Sequence, residues 1–201
     1  LRKGDCVSIT LPNCPQFMIA HFGTLLAGGV VSGCSPLLSP NEMVFQLDDS
    51  ESKFFITLDA IYENVVRDIL ERLPKLECVI TTNIADYAGI AKPLVIIGKI
   101  VKKIPKGKVI PYPGKSILDF KEVMESSSDV KVVSINVDKD LALLSYTGGT
   151  TGLQKGTELT HANIIANMFQ ISNWLDSKEE NAGEVNISVL PFFHIGGLIQ
   201  N

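Results

Sequence analysis

From Cys6 to Thr81, short apolar runs alternate with longer stretches whose apolar residues recur every three or four positions, and this rhythm leaves few folds open. Cys6–Leu11 reads as a buried strand. Pro15 then opens a helix, since proline suits a first helical turn, and Gly28-Gly29 ends it. Val30–Cys34 is the next strand. Ser39-Pro40-Asn41-Glu42 has the form of a capping box, in which hydroxyl and carboxylate satisfy orphan amides reciprocally. The helix it starts carries Met43, Val44 and Leu47 at helical spacing. Lys53–Thr57 is a further strand, Asp59 caps a helix with Ile61, Val65, Ile69 and Leu73 at intervals of four, and Cys78–Thr81 is a strand again. Short strands separated by helices pair in parallel, because parallel neighbours need a crossover connection. The expected fold class is α/β, a layered, mostly parallel sheet flanked by helices.

The longest apolar stretch, Phe17–Cys34, is about long enough to cross a bilayer. It contains His21, Gly23, Gly28, Gly29 and Gly33, so a helix of about a dozen residues followed by a buried strand accounts for it better than a membrane span. A hydrophobic content of 45% excludes disorder along the whole chain, and a net charge of −4 argues against a nucleic-acid partner. Cys6, Cys14, Cys34 and Cys78 form no CxxC pair and have no His cluster nearby, which points to reduced thiols in a cytoplasmic protein. No signal peptide is evident. The chain starts at Leu1 and stops at Asn201 without a closing element, and reads as an internal piece of a longer protein.

One segment breaks the rhythm. Between Asp86 and Asp119 there is no acidic residue but there are seven lysines, Lys92, Lys99, Lys102, Lys103, Lys106, Lys108 and Lys115. Leu94, Ile97, Val101 and Ile104 fall at helical spacing among them. The favoured reading is a solvated helix whose apolar stripe packs on the core, within an insertion at about 86–119. The alternative is a basic amphipathic helix making peripheral membrane contact through 92–108. After the Ser126-Ser127-Ser128 linker the α/β pattern resumes, with strands at Leu141–Tyr146 and Val185–Leu190 and a helix from about His161 to Leu175. Asp176, Glu179, Glu180 and Glu184 read as a solvated loop.

The chemistry concentrates in Tyr146-Thr147-Gly148-Gly149-Thr150-Thr151-Gly152-Leu153-Gln154-Lys155-Gly156, where an apolar strand runs into three glycines, three threonines and a lysine within the nine positions Thr147–Lys155. Glycines let backbone amides approach a ligand closely, threonine hydroxyls add donors, and the lysine supplies a mobile positive charge. Together they suit a cradle for polyphosphate. A plain glycine-rich hairpin would need neither the threonines nor the lysine. The P-loop pattern fails because Lys155 precedes Gly156, and the dinucleotide and kinase-loop spacings fail as well.

The segment resembles the phosphate-binding loop of the adenylate-forming (AMP-binding) superfamily, Tyr-Thr-Ser-Gly-Thr-Thr-Gly-x-Pro-Lys-Gly, followed here as there by Leu159-Thr160-His161. Gly148 stands where the pattern has Ser, and Gln154 where it has Pro. Gly4-Asp5-Cys6-Val7 through Pro12-Asn13-Cys14-Pro15, Leu26–Val31 and Pro36–Pro40 resemble earlier stretches of the same family. Pro191-Phe192-Phe193-His194-Ile195-Gly196-Gly197 resembles the Pro-Leu-Phe-His-x-x-Gly motif of its acyl- and aryl-CoA ligases, the acyl-CoA synthetase branch. No carboxylate stands there to hold an amino group, which disfavours an amino-acid substrate.

The resemblance implies that residues 1–201 are part of an N-terminal ATP/acyl-binding domain, with the C-terminal domain absent. It implies ATP, Mg²⁺ and coenzyme A as cofactor and co-substrates, and a carboxylic acid, preferably a medium- or long-chain fatty acid, as substrate. Thr147, Gly148, Gly149, Thr150, Thr151, Gly152 and Lys155 would hold ATP, with Thr151 toward the metal. His194, Gly196 and Gly197 would line the acid's pocket, and Lys155, Thr150 and His194 are the catalytic candidates. His161 is expected to be structural and His21 a core histidine. An aryl acid such as a cinnamate, a degenerate non-catalytic ATP-binding module and a membrane-tethering scaffold are the alternatives. Oligomeric state stays open, a homodimer included. The adenine, ribose, hinge and C-terminal lysine sites would lie beyond Asn201, so residues 1–201 alone are not expected to catalyse adenylation.

Overall fold

The alternation of strands and helices becomes a single twisted sheet in a computed structural model, which describes residues 1–101, 103–126, 133–147, 154–174 and 187–200. Its elements are β1 (Cys6–Thr10), α1 (Pro15–Leu26), β2 (Val30–Gly33), α2 (Pro40–Asp49), β3 (Ser52–Leu58), a helical run α3 over 59–72, and β4 (Cys78–Thr82). There follow α4 (Lys92–Ile100), β5 (Ser116–Asp119), α5 (Phe120–Glu125), β6 (Leu141–Thr147), β7 (Lys155–Thr160), α6 (His161–Trp174) and α7 (Ile195–Gln200). The strand order is β5-β4-β3-β1-β2-β6-β7. All neighbours pair in parallel except β6 and β7, which form an antiparallel hairpin. This is the expected mostly parallel α/β sheet.

Period-two alternation sends the strand side chains into two cores, one on each face. Val7, Ile9, Phe17, Val31, Ile56, Phe120 and Leu143 fill one face. Met43, Leu47, Phe55, Tyr62, Val66, Leu70 and Val79 fill the other. The apolar stretch from Phe17 divides as expected into α1 and β2, with Gly28 at φ +76 closing the helix. Among the described residues no helix is long and apolar enough to cross a membrane. The capping box at α2 is present: Ser39 N donates to Glu42 Oε2 at 2.8 Å, and Glu42 N donates to Ser39 Oγ at 3.4 Å. The four cysteines are free and buried, and burial pushes the Cys34 thiol up to about 12.

Three expectations need correction. Asp59 is the first residue of α3 rather than its cap; its carboxylate accepts from Ala60 N and from Asn83 Nδ2. A π-helical turn over Tyr62–Val66 then adds a residue to the helical repeat. The buried stripe therefore moves by one position, so Tyr62 and Val66 are fully enclosed while Ile61 and Val65 are only half-buried. The third concerns the lysine-rich segment. Its helix α4 does not pack its apolar stripe on the core: Leu94 is 60% exposed, Ile97 54% and Val101 54%. What fastens the segment lies after it. Asn83 Nδ2 donates to Pro105 O, Glu63 Oε2 accepts from Lys108 N, and Tyr62 Oη donates to Ile110 O. Lys115 donates to the carbonyls of Leu73 and Leu76, finishing the end of α3.

His21, expected in the core, is 5% exposed, and its Nδ1 has no hydrogen-bond partner among the described residues. Burial pushes its pKa from 6.5 down to about 4. In that window the unfolded chain binds a proton that the folded chain refuses. Stability is therefore complete above pH 6.5 and falls as the pH drops toward 4, by about 3 kcal/mol in all. His21→Leu should flatten this limb. The urea midpoint of the wild type, compared with the variant between pH 7 and pH 4.5, tests it. Parallel curves would show that His21 is not buried as a neutral base.

Candidate active site at the carboxyl edge of the sheet

The phosphate-loop segment connects β6 and β7, which pair antiparallel. β6 brings an apolar strand to the carboxyl edge of the parallel sheet, and β7 returns beside it with Thr147 paired to Lys155. These two candidates close the stem of the loop. Gly148, Gly149, Thr150, Thr151 and Gly152 lie outside the described residues. Lys155 is exposed and forms no salt bridge among the described residues. Gln154, standing where the family pattern has proline, is half-buried, and the pairing on either side of the loop is intact.

One step down the stem, Tyr146 lies opposite Gly156. A Cβ on Gly156 would come within 3.0 Å of the Tyr146 ring, so glycine is what lets the ring lie across β7. The phenol donates to Asp49 Oδ2 at 2.6 Å, and burial together with that carboxylate pushes its pKa up. The loop is thus rooted in α2 as well as in the sheet. Nothing in the sequence marks Tyr146 and Asp49 as partners; they stand 97 residues apart.

The second motif rests on the same edge. Phe192 packs against Phe17, with ring centroids 5.7 Å apart, and the Phe193 carbonyl lies directly over Gly33, the last residue of β2. Asn13, just after β1, holds the segment from the side. Its Nδ2 donates to Ser188 O and Leu190 O, and its Oδ1 accepts from Phe192 N at 2.9 Å. These bonds also explain a failed expectation. Residues 187–190 form no strand, and the carbonyls of Ser188 and Leu190 bond a side chain instead of a sheet ladder; Val185 and Asn186 lie outside the described residues. Asn13 and Gly33 carry no signal for such a role within their own neighbourhood.

His194 sits at the start of α7. Its backbone carbonyl accepts from Leu198 N, and its Nδ1 accepts from Gly196 N at 3.2 Å, so the imidazole caps the helix. With Nδ1 accepting, the proton of the neutral ring is on Nε2. The ring is exposed. Gly197 is buried, and a Cβ there would fall 2.1 Å from Pro191 O, so the chain's own backbone requires that glycine. His161 opens α6, where Thr160 and Asn163 cap each other. It faces an apolar cavity of about 320 Å³ shared with His21.

The ends of β1, β2 and β6 thus present Asn13, Gly33 and the loop stem along one edge, where open α/β sheets hold their ligands. Thr151, the metal candidate, lies outside the described residues; among those described, no cluster of three His, Cys, Asp or Glu side chains is placed to bind an ion.

The family model of the AMP-binding enzymes matches the chain over residues 1–201. A Bacillus subtilis (strain 168) protein named long-chain-fatty-acid–CoA ligase is 35% identical over 200 residues, covering 98% of this chain and 35% of that protein. A Dictyostelium discoideum protein named probable 4-coumarate–CoA ligase 1 is 30% identical over 200 residues, covering 99% of this chain and 34% of that protein. Among solved structures, a long-chain-fatty-acid–CoA ligase from Archaeoglobus fulgidus superposes with a TM-score of 0.73 at 25% identity, covering 100% of this chain and 33% of that one. The chain spans roughly a third of the length of these relatives. A match along the whole length and a relative 35% identical over 98% of this chain agree: the chain belongs to the AMP-binding enzyme family.

Proposed function

We propose that the full-length protein carrying this chain is an AMP-forming acid–thiol ligase acting on fatty acids. The observation that carries this reading is the occurrence of the Thr147/Lys155 stem and the Pro191–Gly197 turn along one edge of the sheet. In this reaction the acid's carboxylate oxygen attacks the α-phosphorus of ATP, and the bond to pyrophosphate breaks. The sulfur of coenzyme A then attacks the acyl carbon, releasing AMP and the thiol proton. The first step needs charge neutralised on the departing pyrophosphate more than it needs a nucleophile from the protein.

The described residues fit a polyphosphate. Lys155, which follows the glycine- and threonine-rich stretch in sequence, has a charge uncompensated by any described carboxylate, and Thr147 pairs with it across the stem. Thr150 and Thr151, with the amides of Gly148, Gly149 and Gly152, would complete the cradle. Mg²⁺, bound with ATP, supplies further neutralisation of phosphate charge. His194, with Gly196, would border the acid, its Nε2 proton on the solvent side of the helix cap. Four buried thiols, all free, favour a cytoplasmic enzyme.

The name of the Bacillus relative supports a long-chain acid, and that of the Dictyostelium relative keeps an aryl acid as the second reading. Carboxylate-dependent ATP–pyrophosphate exchange by the full-length protein, across acids from acetate to palmitate plus cinnamate, decides between them. A maximum among the longer alkyl acids is expected. A maximum at cinnamate would select the aryl reading, and ATP binding without exchange for any acid would reduce the protein to a nucleotide-binding module. Residues 1–201 alone are expected to give no exchange.

A further inference from the structure

Tyr146 directly precedes Thr147, and its ring is held more by hydrogen bonding than by packing. It borders a cavity of about 560 Å³ that Gly4, Leu144 and Glu158 also line. Two contacts fix it there: the ring passes close over Gly156, and the phenol donates to Asp49 Oδ2 at 2.6 Å. Burial and that carboxylate push the phenol's pKa up, so it stays protonated and a donor near neutral pH. Asp49 stands where it does against local rules. It is the last residue of α2, whose final turn carries no basic side chain, and a carboxylate is unfavourable at that end of a helix dipole. It forms no salt bridge among the described residues. A residue that breaks a local rule yet serves a partner 97 positions away is the kind kept for function.

The helix that Asp49 ends is a firm base, and it reaches the other half of the site as well. Met43 and Leu47 bury its inner side, and the buried Gln46 donates from Nε2 to Ser32 Oγ at 3.1 Å and to Gly33 O at 2.8 Å. Gly33 is the residue over which the Phe193 carbonyl lies. One helix thus grips both the strand beneath the acid-side turn and the strand that ends in Thr147. Alternation along β6 completes the alignment. Leu144 pairs with Ser32, which faces α2, so Tyr146 shares that face while Ser145 and Thr147 take the opposite one. Ser145 there borders the same recess as Phe192 and Phe193. With its ring tied to Asp49, Tyr146 cannot roll, and Thr147 stays turned to the side of the sheet that carries the His194 turn.

We propose that Asp49 and Tyr146 are positioning residues for the nucleotide side of the site: their hydrogen bond sets the angle of the Thr147/Lys155 stem to the acid-side turn. Neither side chain needs to touch a substrate. Attack of a carboxylate on the α-phosphorus tolerates little misalignment between the two halves, and an error of about an ångström costs about 10²-fold. This role rests on the ligase reading where exchange is the readout; ATP affinity, measured without any acid, reports on it separately.

Calorimetric titration of the full-length protein with ATP and Mg²⁺, followed by exchange kinetics, tests it. Tyr146→Phe removes one hydroxyl and should weaken ATP binding and lower kcat/KM for ATP by about tenfold each, the order of one charge-assisted hydrogen bond, with KM for the acid nearly unchanged. Asp49→Ala should do the same, and the double variant should lose no more than either single one, because one bond joins them. Asp49→Asn keeps an oxygen that accepts from the phenol and should recover most of the loss. It also relieves the helix end of a charge, so its urea midpoint should lie at or above the wild type's. Asp49 is exposed and Tyr146→Phe keeps the ring, so circular dichroism should be unchanged. A merely structural bond gives the reverse pattern, with urea midpoints that fall while ATP affinity holds. ATP affinity within about twofold of the wild type in both single variants, additive losses in the double variant, or a wild type that binds no ATP would overturn the proposal. Affinity that depends on the pair, in a protein that shows exchange with no acid, would keep the positioning role and discard the ligase reading.

Discussion

Lys155→Ala in the full-length protein should lower carboxylate-dependent ATP–pyrophosphate exchange by about 10²- to 10³-fold, the range expected when one charge-stabilising contact leaves a water-poor site. The melting temperature should hardly change. Lys155 is exposed at the first position of β7 and has no salt-bridge partner among the described residues, so its removal strands no buried charge. Its role on the proposed mechanism is to meet charge that grows on pyrophosphate as the bond to the α-phosphorus breaks. A contact that strengthens in the transition state shows as a loss in kcat larger than the rise in KM for ATP. Lys155→Arg should recover only part of the rate, because a planar fork on a different stem cannot follow the phosphate as an ammonium can. If Lys155→Ala kept exchange within threefold, the loop would be a hairpin like any other, and the proposed function would lose its main chemical support.

Much of the fold is legible in the amino-acid sequence itself. The alternation that predicts a parallel α/β sheet works because each strand and helix must bury one side, and burial imprints a period on its own residues. The capping box at Ser39 is equally legible, since both partners sit within one turn. The apolar run Leu141–Tyr146 predicts β6, whereas its antiparallel return as β7 is not read from the sequence. What escapes is set by partners distant in sequence. The π-turn at Tyr62 shifts the buried stripe of α3, and the Tyr62 phenol turned inward there donates to Ile110 O, a bond no local pattern records. The stripe on α4 has helical spacing, but spacing cannot say whether the apolar side faces protein or not, and here it faces outward. In the site the same limit applies: His194 is visible as part of a motif, whereas Asn13 and Gly33, which hold its segment, act across more than 150 residues.

Gly33 and Gly23 make that distinction measurable. Both lie in the stretch that could have been a membrane span, and both would accept alanine by local rules. In the structure a Cβ on Gly23 meets nothing within 4 Å, in the middle of α1. Gly23→Ala should therefore stabilise the protein by about 0.5–1 kcal/mol, the helix-propensity gain over glycine. A Cβ on Gly33 would fall 2.4 Å from Phe193 O and 3.1 Å from Phe193 Cα, both backbone atoms. Something must move, and β2 is locked between β1 and β6. The yielding part is then the 191–194 segment, pressed against Asn13, whose hydrogen bonds stretch or break. Gly33→Ala should destabilise by about 1–3 kcal/mol, the cost of overpacking a closed contact. Displacing the His194 turn by about an ångström should lower kcat/KM for the acid by about 10²-fold, while the KM for ATP changes little. Thermal unfolding of the two variants, with exchange kinetics varied in acid and in ATP, reads both effects. Opposite signs in stability, with the kinetic loss confined to Gly33→Ala and to the acid, would establish that β2 supports the acid side of the site. Equal loss for acid and ATP would mean instead that Gly33 holds the whole carboxyl edge together, the phosphate loop included.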